Sequence, residues 1–287
     1  MQWQLLIPTY NRHFQYNRNF LQSCDKYCID NLNITFVITE KERQIFNSVI
    51  NGYKAQVITL HELIKDTLSI DIDEDHLLHK IGKFNFQSLK KIYGALKYDY
   101  SIVLDSENLC INKFNSNQLI DNIIEDKNIF YSNKMLDSNM VNVTVNASNL
   151  LNCTFDKYFF QTSYWLYEKN IVQDLLNQHN LYEYFLKTSP NFEAVIYSAF
   201  INKNNHKYKY NFINTEDIFG KEICDELSSH GFTPEHFCII ANKYIDRYCN
   251  WINKYHIPVA RMHWISEDNV SYIKKQTNIK IGTFHYD

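Results

Sequence analysis

The sequence predicts an α/β protein built on a mostly parallel sheet flanked by helices, with a more irregular, helical second half. Three observations lead there. The first hundred residues alternate short apolar runs with stretches of helical length and pattern. The short runs are apolar throughout rather than at every second residue, as in strands covered on both faces. Polar clusters follow those runs directly, as loops at strand ends do.

Trp3 to Ile7 reads as the first strand, Pro8-Thr9-Tyr10-Asn11-Arg12 as its loop, and Phe14 to Cys28 as a helix. Asn33 to Thr39 is β-branched and apolar, hence a second strand. Glu40 to Ile50 is a helix with acids in its first turn, where the helix dipole favours them. Gln56 to Leu60 is a third strand. Helical segments follow near His61 to Thr67 and Phe86 to Lys97, and then an apolar strand that stops at Asp105. Beyond it, Ile129 to Tyr131, Val141 to Val145 and Tyr208 to Ile213 read as strands, and Phe159 to Leu166 as an aromatic run. Glu168 to Gln178, Glu193 to Ile201 and Pro234 to Tyr255 read as helices, and Pro258 to Trp264 as a last strand with its loop. No repeat or low-complexity linker divides the chain, which predicts one domain over 1–287, with halves 1–111 and 112–287.

Composition narrows the function classes. The 287 residues carry a net charge of −3 with no basic run, which argues against a nucleic-acid partner held through phosphate neutralisation. Seven Cys at irregular spacings predict free thiols in a reducing, cytoplasmic setting, and Cys24 and Cys28 lack the companions of a zinc site. The acidic run Asp71 to Asp75 lacks the glycine and distal Glu of a calcium loop and reads as a solvated turn. No stretch approaches ~18 uninterrupted apolar residues, so no membrane span is expected. Contact with the inner face of a membrane through exposed Tyr and Trp between residues 244 and 264 is compatible with this.

The chemistry concentrates in Ile102-Val103-Leu104-Asp105-Ser106-Glu107, where a buried strand ends in two carboxylates one residue apart. In an extended strand residues 105 and 107 share a face, so both can reach one hard cation that holds a diphosphate. Ligands of open parallel sheets bind beyond the carboxyl ends of the strands. The Pro8–Arg12 loop and Asp105–Glu107 both lie at such ends and are expected to share a cleft. Pro8, Thr9, Tyr10, Arg12 and Ser106 are the nucleotide-contact candidates there. Lys80 and Lys83 flank Gly82 ahead of a helix and suit phosphate as well as they suit an ordinary exposed pair.

Leu5-Leu6-Ile7-Pro8-Thr9-Tyr10-Asn11-Arg12, the strand–helix alternation, and then Ile102 to Glu107 about a hundred residues on together resemble the GT-A glycosyltransferase fold. The likeness covers roughly residues 3–111 and is nearest in kind to bacterial enzymes that build capsule or lipopolysaccharide sugars. It implies transfer of a sugar from a nucleotide-sugar donor to a glycan or lipid-linked acceptor. It also implies Mn2+ or Mg2+ on an Asp-x-Asp motif, here varied to end in Glu107. On this resemblance the second half supplies the acceptor side. Glu193 and Asp217 are the candidates for a base that takes the acceptor proton. Glu193 equally suits the first turn of its helix. His263, beside Arg261, is the candidate to complete the metal shell or bind phosphate, with His285 behind it. The alternatives are a nucleotidyltransferase, disfavoured by the glycine-free loop after the first strand, and a non-catalytic carbohydrate-binding or assembly protein.

Overall fold

A computed structural model describes residues 2–134, 138–159, 164–229 and 236–284. The first half runs β1 (Trp3–Pro8), α1 (Phe14–Tyr27), β2 (Ile34–Ile38), α2 (Arg43–Val49), β3 (Gln56–Thr59), α3 (Leu60–Leu68), α4 (Glu74–Gly94) and β4 (Tyr100–Leu104). The chain continues through β5 (Asn108–Cys110), α5 (Ser116–Asp126), β6 (Asn128–Ser132), α6 (Ser138–Leu151), β7 (Tyr158–Phe159), β8 (Tyr164–Glu168), α7 (Lys169–Gln178), α8 (Leu181–Lys187), α9 (Glu193–Lys203) and α10 (Asn205–Tyr208). Last come β9 (Asn211–Asn214), α11 (Thr215–Phe219), α12 (Lys221–Ser229), α13 (His236–Lys243), α14 (Ile245–Lys254), β10 (Val259–Arg261), α15 (Glu267–Gln276) and β11 (Ile281–Thr283).

The main sheet has the order β3-β2-β1-β4-β8, with β8 antiparallel to β4 and every other pairing parallel. Its faces follow the period-two rule. Leu6, Val37 and Val103 turn into a core under α3, α4 and α7 to α9. Leu5, Ile7, Phe36, Ile38, Ile102 and Leu104 turn into the opposite core under α1, α2 and α5. Burying each such side chain stabilises the fold by roughly 1.5–3 kcal/mol, so both faces must stay covered. A third core lies among α11 to α15. Two three-stranded sheets complete the frame, β10-β11-β5 and β7-β6-β9.

Two glycines shape α4. Gly82, at φ 75°, breaks the helical path and bends the element. Gly94 lets the helix end lie on β1, since a Cβ there would come within 2.9 Å of Leu6 Cδ1. Helix α4 therefore runs backward along the sheet, from the carboxyl ends of the strands toward their starts.

Several elements differ from the sequence reading. Val141 to Val145 is helical, inside α6, because Val143, Ala147 and Leu151 recur at helical spacing and are buried. The V-x-V-x-V alternation concealed that pattern. Tyr208 to Ile213 divides between the end of α10 and β9. The described part of the long helix to Tyr255 is two helices, separated at Tyr244, whose φ/ψ of −131°/48° are not helical. Short β5 and β11 and helices α5 and α15 carried no strong sequence signal. Part of the aromatic run, residues 160–163, lies outside the described residues, as does Pro234. All seven cysteines are free, and the thiols of Cys24 and Cys110 meet at 3.4 Å in the core. Among the described residues no helix is long and apolar enough to cross a membrane.

Candidate active site

The chain lays down β1, β2 and β3 in one direction, then returns to place β4 on the other side of β1. The order of the parallel sheet therefore reverses between β1 and β4. In open α/β sheets such a reversal makes a ligand crevice, because the two following loops leave in different directions. The loop after β1 and the Asp105-Ser106-Glu107 turn after β4 border that point, as the sequence led us to expect.

Buried side chains tie the two loops together. Asn17, in the second turn of α1, accepts the Thr9 hydroxyl proton at 2.6 Å and donates to the Ser106 carbonyl at 2.9 Å. Thr9 is itself buried, and its carbonyl accepts from Lys90 Nζ at 2.9 Å. Burial pushes Lys90 down to about 8, against the opposing pull of Glu42 and Glu74. The Asn11 N–H donates to Glu42 at 2.9 Å, and Glu42 also closes a capping box with Thr39. A cleft of about 580 Å³ adjoins these groups at the ends of β2 and β3, lined by Thr39, Glu40, His61 and Glu74 among others.

His13 forms the second link. Its Nε2 lies 2.7 Å from Tyr10 Oη, and its Nδ1 lies 2.5 Å from Ser106 Oγ and 3.4 Å from Glu107 Oε1. The Ser106 hydroxyl is 3.3 Å from Glu107 Oε2. One assignment uses every donor: Tyr10 donates to Nε2, Nδ1–H donates to Ser106, and Ser106 donates to Glu107. A hydrogen-bonded chain thus runs from an exposed phenol to a buried carboxylate. Tyr10 is raised by burial first and by the Glu107 charge second.

The turn itself departs from strand geometry. Residues 106 and 107 bend, and the chain enters the separate β10-β11-β5 sheet, so the face-sharing rule of an extended strand does not operate. Asp105 is 16% exposed and faces Arg261 at 3.8 Å, whereas buried Glu107 is engaged by Ser106 and His13. The backbone of the turn is held by Phe284 N–H, which donates to the Glu107 carbonyl at 2.8 Å. Asn108 accepts the Thr283 hydroxyl at 2.7 Å. The C-terminal strands thereby bring Arg261, and the turn carrying His263, to the β4 side of the crevice. His263 is buried with its ring 3.7 Å from that of Trp264; His285 lies outside the described residues.

Among the described residues no group of three or more His, Cys, Asp or Glu is spaced to hold a metal. Asp105, Glu107 and His263 are not a preassembled three-ligand shell. Two carboxylates nonetheless match the way Mg2+ is commonly held, with water and substrate phosphates supplying the other oxygens.

The remaining candidates are distributed as follows. Pro8 is buried at the loop base, while Tyr10 and Arg12 are exposed. Lys80 and Lys83 are exposed on either side of the Gly82 bend, toward the strand-end side of α4. Glu193 is 1% exposed, with Oε1 3.0 Å from Lys91 Nζ and Oε2 accepting from Ser88 at 2.5 Å. It sits in the core, under the sheet, with no path for an acceptor hydroxyl to reach it in this conformation. Asp217 is exposed in the first turn of α11, near Tyr131, whose phenol is raised by burial and then by the Asp217 charge. Of the two base candidates, Asp217 alone faces water. Asn17, Lys90 and His13 are the site residues that the sequence reading missed. His13 was one residue beyond the loop it identified.

No protein-family description matches the sequence, and no curated protein matches it. Among solved structures the chain is similar to mouse xyloside xylosyltransferase 1 in its apo form, at 13% identity and a TM-score of 0.41, over 80% of this chain and 93% of that one. It is similar to the galactosyltransferase LgtC in complex with donor and acceptor sugar analogues, at 10% identity and a TM-score of 0.42, over 99% and 87%. It is also similar to the apo bifunctional glycosyltransferase WbbM, at 11% identity and a TM-score of 0.43, over 96% of this chain and 51% of that one.

Proposed function

We propose that the protein is a glycosyltransferase that moves a sugar from a nucleotide-sugar donor to a glycan or lipid-linked acceptor. The observation that carries this reading is the convergence, at the β1/β4 reversal, of the β1 loop with an acidic turn bordered by Arg261. The nucleotide lies against Tyr10 and Arg12, over the base made by Thr9, Asn17 and Lys90. Asp105 would supply the accessible carboxylate for Mn2+ or Mg2+, with Glu107, held by His13 and Ser106, beside it. A cation bound there offsets the negative charge that develops on the departing diphosphate. The Arg261 guanidinium adds a fixed positive charge on the same side. Asp217 is the better placed of the two carboxylates to take a proton from an acceptor hydroxyl.

The test is thermal stabilisation by UDP, GDP, CMP and their sugars, with and without Mn2+. One nucleotide class is expected to raise Tm, more with metal than without. Asp105→Asn is expected to remove the metal-dependent part while leaving the ligand-free Tm in place. If no nucleotide stabilises the protein, no sugar nucleotide is hydrolysed and Asp105→Asn changes nothing, the reading fails.

A further inference from the structure

The turn after β10 contains a residue whose placement packing does not explain. Met262 N–H donates to the Thr283 carbonyl at 2.9 Å, and Ile265 N–H returns to the Met262 carbonyl at 3.4 Å. Met262, His263 and Ile265 are buried, whereas Trp264 between them is 59% exposed. Its φ is 57°. A left-handed backbone at a bulky residue is strained and persists only where the surroundings enforce it. Here they do. Asn242, in α13, donates its side-chain amide to the Trp264 carbonyl at 2.8 Å and accepts the Ser266 N–H at 3.1 Å. The His263 ring abuts the indole. Glycine or asparagine would make this turn at lower cost. The chain instead holds here the most exposed large aromatic side chain among the described residues.

Location gives that pose a meaning. Trp264 follows Arg261 by three residues, roughly 10 Å of extended chain, and Arg261 faces Asp105. The Trp264 backbone therefore stands no farther than that from Arg261, the second-half residue that faces the acidic turn. A saccharide suits it: pyranose C–H groups are weakly positive and match the negative face of an aromatic ring. An anionic membrane surface does not, because exposed Glu267 and Asp268 stand beside it.

We propose that Trp264 is the stacking platform for a pyranose ring of the acceptor saccharide. The proposal rests on the glycosyl-transfer reading, and its test is separable from it. Of the four Trp, Trp165 and Trp251 are buried, and Trp3 is partly buried with its indole N–H 3.3 Å from Asn117. Acrylamide quenching of fluorescence thus reports chiefly on Trp264.

The probes are methyl α- and β-glycosides of glucose, galactose, mannose and N-acetylglucosamine, together with lactose. At least one is expected to protect the indole from acrylamide, and the protection is expected to vanish in Trp264→Phe-monitored quenching. Calorimetric binding of that sugar should weaken about tenfold in Trp264→Ala, which corresponds to ~1.4 kcal/mol, and less in Trp264→Phe. Nucleotide stabilisation should be unchanged in both variants. If a nucleotide stabilises the protein but no glycoside protects the indole, the proposal is overturned and the transferase reading stands. Protection by phosphatidylglycerol vesicles in place of sugars also overturns it. If a glycoside protects the indole and no nucleotide binds, the transferase reading falls and the acceptor role is overturned with it, leaving Trp264 a sugar-binding side chain only.

Discussion

Lys90 and Lys91 are neighbours in α4, both are buried, and they do opposite things. Lys91 turns into the core, forms an ion pair with Glu193 at 3.0 Å and lies 4.1 Å from the centre of the Trp165 ring. Lys90 turns to the strand ends, donates to the Thr9 carbonyl beneath the β1 loop and has carboxylates only at longer range. One successive step around the helix separates a closed, neutral pair from a charge left under strain at the mouth of the sheet. Perturbed ionisable groups collect at functional sites. Burial alone does not distinguish structure from site. The partner does.

The largest expected effect lies on the core side. Lys91→Met leaves Glu193 buried without its counter-ion and should cost about 3–5 kcal/mol in urea unfolding. The double variant Lys91→Met/Glu193→Gln should recover most of that loss. A cost below about 1 kcal/mol for the single change, the usual limit for exposed pairs, would break the assignment of Glu193 to structure and return it to the list of catalytic candidates.

The next effect lies on the site side and is a pH dependence. Lys90 titrates at about 8 in the folded protein against an ordinary 10.5. Between these values the unfolded chain binds more protons, so stability rises as pH increases through that window, and the full cost is present below pH 8. The gain over the whole window is about 3 kcal/mol. Lys90→Met should unfold without it, so denaturation at pH 7.5 and pH 9.5 distinguishes the two proteins. The same variant should bind nucleotide more weakly, because the Thr9 carbonyl loses its donor. Equal pH slopes in both proteins would contradict the picture.

The smallest effect lies at Asn17. Asn17→Leu leaves the Thr9 hydroxyl and the Ser106 carbonyl without their buried partner, a loss of about 1–3 kcal/mol in stability. Nucleotide stabilisation should fall further than stability does, because the variant loosens the two loops against each other. A nucleotide response equal to that of the unaltered protein would make Asn17 a packing residue only.

What the sequence disclosed follows from range. Strands β1 to β4 are runs of consecutive apolar residues, and their ends were plain because Pro8 and Asp105 interrupt them sharply. The juxtaposition of the two loops followed from strand-end logic, without any knowledge of side chains. Lys91 with Glu193, and Asn17 with Ser106, are separated by roughly a hundred residues, and nothing local announces them. The bend at 106 and 107 was hidden for the same reason, since distant Thr283 and Phe284 hold it. Val141 to Val145 misled because β-branched alternation is a strand preference that helix packing of Val143, Ala147 and Leu151 overrides.

The pairing of Asn108 with Thr283 spans 175 positions, and it has a kinetic consequence. Contacts between remote segments form late, because the entropy of closing the intervening chain must be met first. The β3-β2-β1-β4 layer uses nearer neighbours and can assemble ahead of it. The acidic turn is then the last part of the crevice to acquire its shape, when β11 docks against β5. A refolding experiment should show sheet formation leading and nucleotide competence trailing, with the interval set by that single closure.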